Sequence, residues 1–226
     1  MNKTEFDLLN KNLGEICEHI PMWGCKQNIE DNSLISLSKV TKLYTLSDLN
    51  NYLVRKGIPK DKFDYCQRRW FHVQCAWIDE YLFYKQEGVK QNPNEYSKEW
   101  DVEFSNGDRY DIKSTIIPNW MRKKFSLTEL FNMSNTIINT LDHSASNSRS
   151  HNQNRMYILH YSKKGNDQTS LDRVSCAFDF KDKVFKYVAN NIEDLKVYKH
   201  NGYDVILVYI IEQEDGDFKM HLEYKE

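Results

Sequence analysis

The stretch 99-EWDVEFSNGDRYDIKST-115 decides how the chain is read. Its Asn106-Gly107 step is a strong hairpin signal, because both residues tolerate the positive φ that tight β-turns demand. Two registers are open. A two-residue loop sets Asp101 opposite Ile112 and sends Asp101 and Asp111 to different faces. A three-residue loop, Ser105-Asn106-Gly107, with Gly107 left-handed in a bulge, pairs Phe104 with Asp108 and sets Asp101 opposite Asp111. Alternation fixes faces only within each strand. Burial makes the choice: only the bulged register collects Glu99, Asp101, Glu103, Arg109, Asp111 and Lys113 on one face and leaves the other apolar.

In that register Glu103 faces Arg109 and Glu99 faces Lys113, each pair worth roughly 0.2–1 kcal/mol. Asp101 facing Asp111 works the other way. At ~5 Å and an effective dielectric of ~20, two like charges repel by roughly 3 kcal/mol. A fully solvated ladder screens most of that. A partly covered one needs a shared proton or a cation. Carboxylates suit Mg²⁺ or Mn²⁺.

A long helix is expected upstream, from Asp61 to Glu87, with Gly88 as its stop. Trp70, Val73, Trp77, Ile78, Tyr81 and Leu82 share one face. Asp79 projects to the opposite side, Glu80 sits at the margin, and Gln74 falls inside the apolar stripe, where an amide needs a partner. Before it, helical spacing over 4–20 and in DLNNYLVRK, followed by Gly57, marks a small N-terminal helical subdomain.

Downstream, 117–155 is polar, with a helix expected over 126–141 and then the loop DHSASNSRSHNQN. RMYILHY, DVILVYIIE and FKMHLEYK read as strands and DKVFKYVANNIEDL as a helix. The fold class expected is α/β (α+β): a mixed β-sheet flanked by helices. The division expected is 1–58 as the helical subdomain and 59–226 as the core, with 117–155 a basic helical and loop insertion.

Composition fits a soluble cytoplasmic protein without a membrane partner. No run of roughly 18 apolar residues is present, and the start lacks an apolar signal-peptide core. Five scattered cysteines without C-x-x-C read as reduced thiols. Net charge is −2, but the segment 113–164 carries eight Lys and Arg against two Asp and Glu, between acidic neighbours. Such a stripe is the footprint of phosphate contact, although charge runs are usually just solvated. His143, His151 and His160 lack ligand spacing and read as surface or loop residues.

An acidic helix, an Asp on one strand and Asp-x-Lys on the next resemble the PD-(D/E)XK nucleases of the restriction-endonuclease-like superfamily, over roughly residues 61–161. Asp101 matches the motif's first Asp, although Trp100 replaces the preceding Pro, and Asp111-Ile112-Lys113 matches the (D/E)XK element. The resemblance implies a restriction-endonuclease-like sheet and a Mg²⁺-dependent endonuclease of restriction or defence type, acting on DNA rather than RNA. Asp101, Asp111, Lys113 and Glu80 would be catalytic. Asp101, Asp111, the Ile112 carbonyl and Glu80 would bind metal, Mg²⁺ or Mn²⁺. A homodimer is common among cutters of both strands.

Arg122, Lys123, Lys124, Arg149, Gln153 and Arg155 are the expected nucleic-acid contacts, with Trp120 and Phe125 flanking the basic cluster. An RNA-cleaving nuclease with the same site, or a catalytically silent nucleic-acid or protein-binding module, are the alternatives.

Overall fold

The computed structural model describes residues 1–22, 33–94, 97, 99–144, 153–165 and 167–225. The chain divides into two compact units, Met1–Ile78 and Asp79–Glu226, with the division inside one helix. The boundary expected from sequence lay earlier, between residues 58 and 59.

In the first unit, helix α1 (Lys3–Ile16) begins with a capping box between Asn2 and Glu5 and buries Leu9 and Leu13. Short α2 (Leu37–Val40) and α3 (Leu46–Arg55) follow, and Gly57 takes φ +67 just past the end of α3. A 3₁₀ turn, Lys60–Lys62, leads into the long α4 (Phe63–Tyr84). The amide of Gln74 is satisfied there: Nε2 donates to the carbonyls of Val40 and Leu43 at 2.8 and 2.9 Å.

The second unit is built on a mixed sheet. Strands β1 (Lys90–Gln91), β2 (Val102–Glu103) and β3 (Arg109–Ile116) run antiparallel. Strand β3 then pairs in parallel with β4 (Arg155–Ser162), and β4 in parallel with β6 (Tyr203–Glu212). Strands β5 (Tyr198–His200) and β7 (Phe218–Leu222) both pair antiparallel with β6. Strands β4 and β6 are near-continuous buried runs because both faces are covered.

On one face Tyr157, Leu159, Val205, Leu207 and Tyr209 pack with Ile117, Met121, Leu130 and Ile137. Those last four come from the β3–β4 connection, which holds α5 (Asn119–Lys124), α6 (Leu127–Phe131) and α7 (Ser134–Ser144). The single helix expected over 126–141 is therefore two. Helices α8 (Gln168–Ser175) and α9 (Phe178–Asn190) connect β4 to β5.

The hairpin takes the bulged register. Val102 faces Tyr110 and Glu103 faces Arg109, and just before β2 the Asp101 amide donates to Tyr110 O at 2.9 Å. The Phe104 amide donates to Asp108 O and the Gly107 amide to Phe104 O, both at 2.9 Å. Gly107 has φ +88, and a Cβ there would touch nothing. Gly107→Ala should therefore cost only backbone strain, about 1–2 kcal/mol, read as a Tm drop of a few degrees. A loss much larger than that would mean the turn is held by more than its backbone.

Candidate functional site

The hairpin's apolar face is buried: Val102, Phe104, Tyr110 and Ile112 are each less than 5% exposed. Phe104 meets Phe83 of α4 edge-on at 5.9 Å, and Phe83 stacks on Phe185 of α9 at 4.0 Å. That packing pins the hairpin and with it the acidic face. The face is not a solvated ladder, because Asp111 is buried and Asp101, Lys113 and Glu80 are half-buried.

Lys113 stands among three oxygens. Its Nζ lies 2.5 Å from Asp111 Oδ1, 3.2 Å from Ile112 O and 3.9 Å from Asp101 Oδ2. Asp101 Oδ2 also accepts the Ile112 amide at 2.7 Å. The expected partner of Lys113, Glu99, is exposed instead. The ammonium turns to the two acids of the half-buried cluster. The other expected pair forms, with Arg109 Nε donating to Glu103 at 2.7 Å.

Burial shifts the protonation of two acids here, Asp101 and Glu80. Burial pushes the Asp101 carboxyl up to about 6, with Lys113 opposing and Asp111 adding. Burial pushes Glu80 up to about 8, aided by the negative charge of Asp101, then opposed by Lys113. The folded chain therefore holds a proton on Glu80 between pH 4.5 and about 8 that the unfolded chain releases. Its contribution to stability is greatest below pH 4.5 and falls as pH rises across that window.

Glu80→Gln keeps the uncharged form at every pH. In EDTA it should match wild type below about pH 4.5 and exceed it by about 2–4 kcal/mol above pH 8. Thermal melts across pH check this, and parallel profiles for the two proteins would reject the burial of Glu80.

Whether a divalent cation fits is decided by the oxygens present. Asp101 and Asp111 supply carboxylates and Ile112 a carbonyl, all hard donors suited to Mg²⁺ or Mn²⁺. Asp111 Oδ2 is buried and has no hydrogen-bond partner. Arg155 Nε lies 3.5 Å from it and offsets part of the cost of burying it, but without a hydrogen bond, so its lone pairs stay open to a cation. Glu80 lies close enough for the charges of Asp101, Lys113 and Asp111 to shift its carboxyl. Among the described residues no set of three acidic, His or Cys side chains converges on one point, so the donor set is two carboxylates and a carbonyl. The residues fit a hard cation. Compared with protein families, curated proteins and solved structures, the chain matches none.

The expected nucleic-acid contacts fare unevenly. Lys123 and Lys124 are exposed on α5, beside Trp120, which is 50% exposed and edge-on to Phe125. Two of the expected cations are buried instead, at 7% exposure for Arg122 and 2% for Arg155. Arg122 Nε donates to Ile117 O at 2.7 Å, and Arg155 reaches Asp111 and Asp142. Neither is presented to a phosphate, because each is consumed by a neighbour inside the fold. Gln153 is half-buried, and Arg149, His151 and Asn152 lie outside the described residues. Asn154 Oδ1 accepts the Asp204 amide at 2.9 Å, a structural task.

Two residues were misplaced by pattern alone. Asp79 is fully buried, not on the outer side of α4: Lys181 of α9 places Nζ 3.0 and 2.9 Å from its two oxygens, and Ser114 of β3 donates to it. His160 is buried at 3% exposure, with Nδ1 3.1 Å from Ser175 Oγ of α8. No local signal announces either, since their partners are remote in sequence or lie in an unanticipated helix.

Proposed function

We propose that the chain is a metal-dependent phosphodiester hydrolase, an endonuclease acting on DNA, with a restriction-endonuclease-like core. The observation that carries this is Lys113 Nζ lying among Asp111 Oδ1 and Ile112 O of β3 and Oδ2 of Asp101, the residue just before β2. A metal-dependent nuclease needs that set: hard oxygens to hold a divalent ion and an ammonium beside them. The long α4, the β2–β3 hairpin and the step from β3 to parallel β4 support the core topology.

Asp101, Asp111 and the Ile112 carbonyl would hold Mg²⁺ or Mn²⁺, with Glu80 nearby. When bound, such an ion polarises the scissile phosphate and lowers the pKa of its water. Lys113 meanwhile neutralises the two acids and stands ready to donate to a phosphate oxygen as negative charge grows there. The Ile112 amide fixes Asp101 by its 2.7 Å hydrogen bond, so that acid needs little reorganisation. Lys123, Lys124 and exposed Trp120 add backbone and stacking contacts. They follow the C-terminal end of β3, about 16 Å of strand beyond Asp111, and so suit a segment of nucleic acid away from the cut.

The test is incubation of the purified chain with supercoiled plasmid, single-stranded DNA and RNA, each with Mg²⁺ or EDTA. Nicking of plasmid that EDTA abolishes is the expected outcome. Cutting of RNA alone would favour the ribonuclease alternative. No cutting of any substrate, with binding retained, would favour the silent module.

A further inference from the structure

Arg155 sits on β4 directly across from Asp111 on β3. The two are partners in the parallel ladder, so both side chains leave the same face of the sheet. Arg155 Nε lies 3.5 Å from Asp111 Oδ2, yet both atoms are buried without a hydrogen bond. The contact is electrostatic and leaves the oxygen's lone pairs uncommitted.

The far end of the guanidinium is fixed. Nη1 lies 3.3 Å from Asp142 Oδ1 on α7 and 3.3 Å from the Tyr157 hydroxyl, while the cation lies 5.8 Å over the Tyr203 ring. Asp142 is itself met by His200 Nε2 at 3.1 Å and Asn201 Nδ2 at 3.4 Å. Burying a guanidinium is expensive, and apolar residues of similar volume commonly pack as well or better. A structural filler is therefore a poor explanation for it.

We propose that Arg155, clamped by Asp142, is the positioning residue for Asp111: it orients one carboxylate oxygen toward Lys113 and keeps the other in place, without a donor, for a divalent cation. The inference rests on the metal-site reading above. It also replaces the phosphate-contact role expected for Arg155 from sequence.

Wild type, Arg155→Met, Arg155→Lys, Asp142→Asn and the Arg155→Met/Asp142→Asn double variant are compared by Mn²⁺ calorimetry, cleavage kinetics and thermal melts. Loss of a partner that orients a metal ligand typically costs 10–100-fold in affinity, so Arg155→Met should weaken Mn²⁺ by about that factor. It should lower kcat while leaving KM for DNA within about twofold. Arg155→Lys should recover part of the loss. Asp142→Asn should move the same way by less, and the double variant should bind no worse than Arg155→Met alone.

Unchanged Mn²⁺ affinity with only a lower melting point would overturn the positioning role. A raised KM for DNA with a salt slope reduced by about one phosphate, and intact Mn²⁺ binding, would restore the phosphate role instead. Should Arg155→Met not fold, unchanged Mn²⁺ affinity in both Arg155→Lys and Asp142→Asn overturns the proposal equally. Wild type that binds no Mn²⁺ sinks the metal reading and this inference together. Normal wild-type binding with unaffected variants sinks the inference alone.

Discussion

Asp111→Asn should reduce Mg²⁺-dependent nicking of supercoiled DNA by about 10³-fold or more, which corresponds to roughly 4 kcal/mol of lost transition-state stabilisation. Asparagine keeps the shape of the side chain and an oxygen for Lys113, but removes the negative charge that a hard cation requires. Because Asp111 is 5% exposed and beside both Lys113 and Arg155, the substitution also leaves two cations facing a neutral amide. The melting point in EDTA should therefore fall modestly while the fold persists.

Lys113→Ala should cost about 10²–10³ in kcat, the range for removing one positioned donor to developing charge. Removing the ammonium also leaves Asp101 and Asp111 to repel each other, so the melting point in EDTA should fall modestly while the fold persists. Both variants are measured at saturating Mg²⁺, with circular dichroism to confirm folding. Wild-type rates from both proteins would move the chemistry to other residues.

Lys181→Met should destabilise the protein by about 3–5 kcal/mol, because it strands Asp79 as an uncompensated buried charge. For a chain of this size that is a Tm loss of about 6–20 °C. Lys181 and Asp79 are both fully enclosed, and Lys181 also donates to Ser175 O at 2.8 Å. Burial pushes the Asp79 carboxyl up, opposed first by the Lys181 charge and then by hydrogen bonds from Ser114 and Lys181.

The double variant Asp79→Asn/Lys181→Met removes both charges and should recover a substantial part of the loss. Ser114 can still bond the asparagine. Equal melting points for the single and double variants would show that packing, not the ion pair, sets the cost. The pair also joins α4 to α9 behind β3, in the turn of α4 that carries Glu80. Lys181→Met is therefore expected to loosen the site as well as the fold.

The hairpin was legible because two independent signals agreed: a turn sequence that admits positive φ, and alternation that only one loop length could reconcile. Strands β4 and β6 were legible as long apolar runs. The edge strands β1 and β5 were not, being only two and three residues long, too short to show alternation. Helices α5 and α8 were also missed, since their apolar residues are too few to show a period.

The site's acids and lysine followed from strand register, which is local. Its deeper layer did not. Asp79 projects to the polar side of a helical wheel, and only Lys181, 102 residues away, turns that side inward. Arg122 and Arg155 inflated the basic count of 113–164 because composition cannot distinguish a cation bonded within the fold from one facing solvent. Glu80 was placed at the helix margin, but its raised carboxyl comes first from burial by the folded core and then from the charge of Asp101, an element away.

The most direct measurement is Mn²⁺ binding by electron paramagnetic resonance to wild type and to the Asp101→Asn/Asp111→Asn variant, with folding checked in each. One tightly bound ion per wild-type chain, lost in the variant and displaced by Mg²⁺, is the predicted result. Absence of bound Mn²⁺ in wild type, or the same stoichiometry and affinity in both proteins, would contradict it.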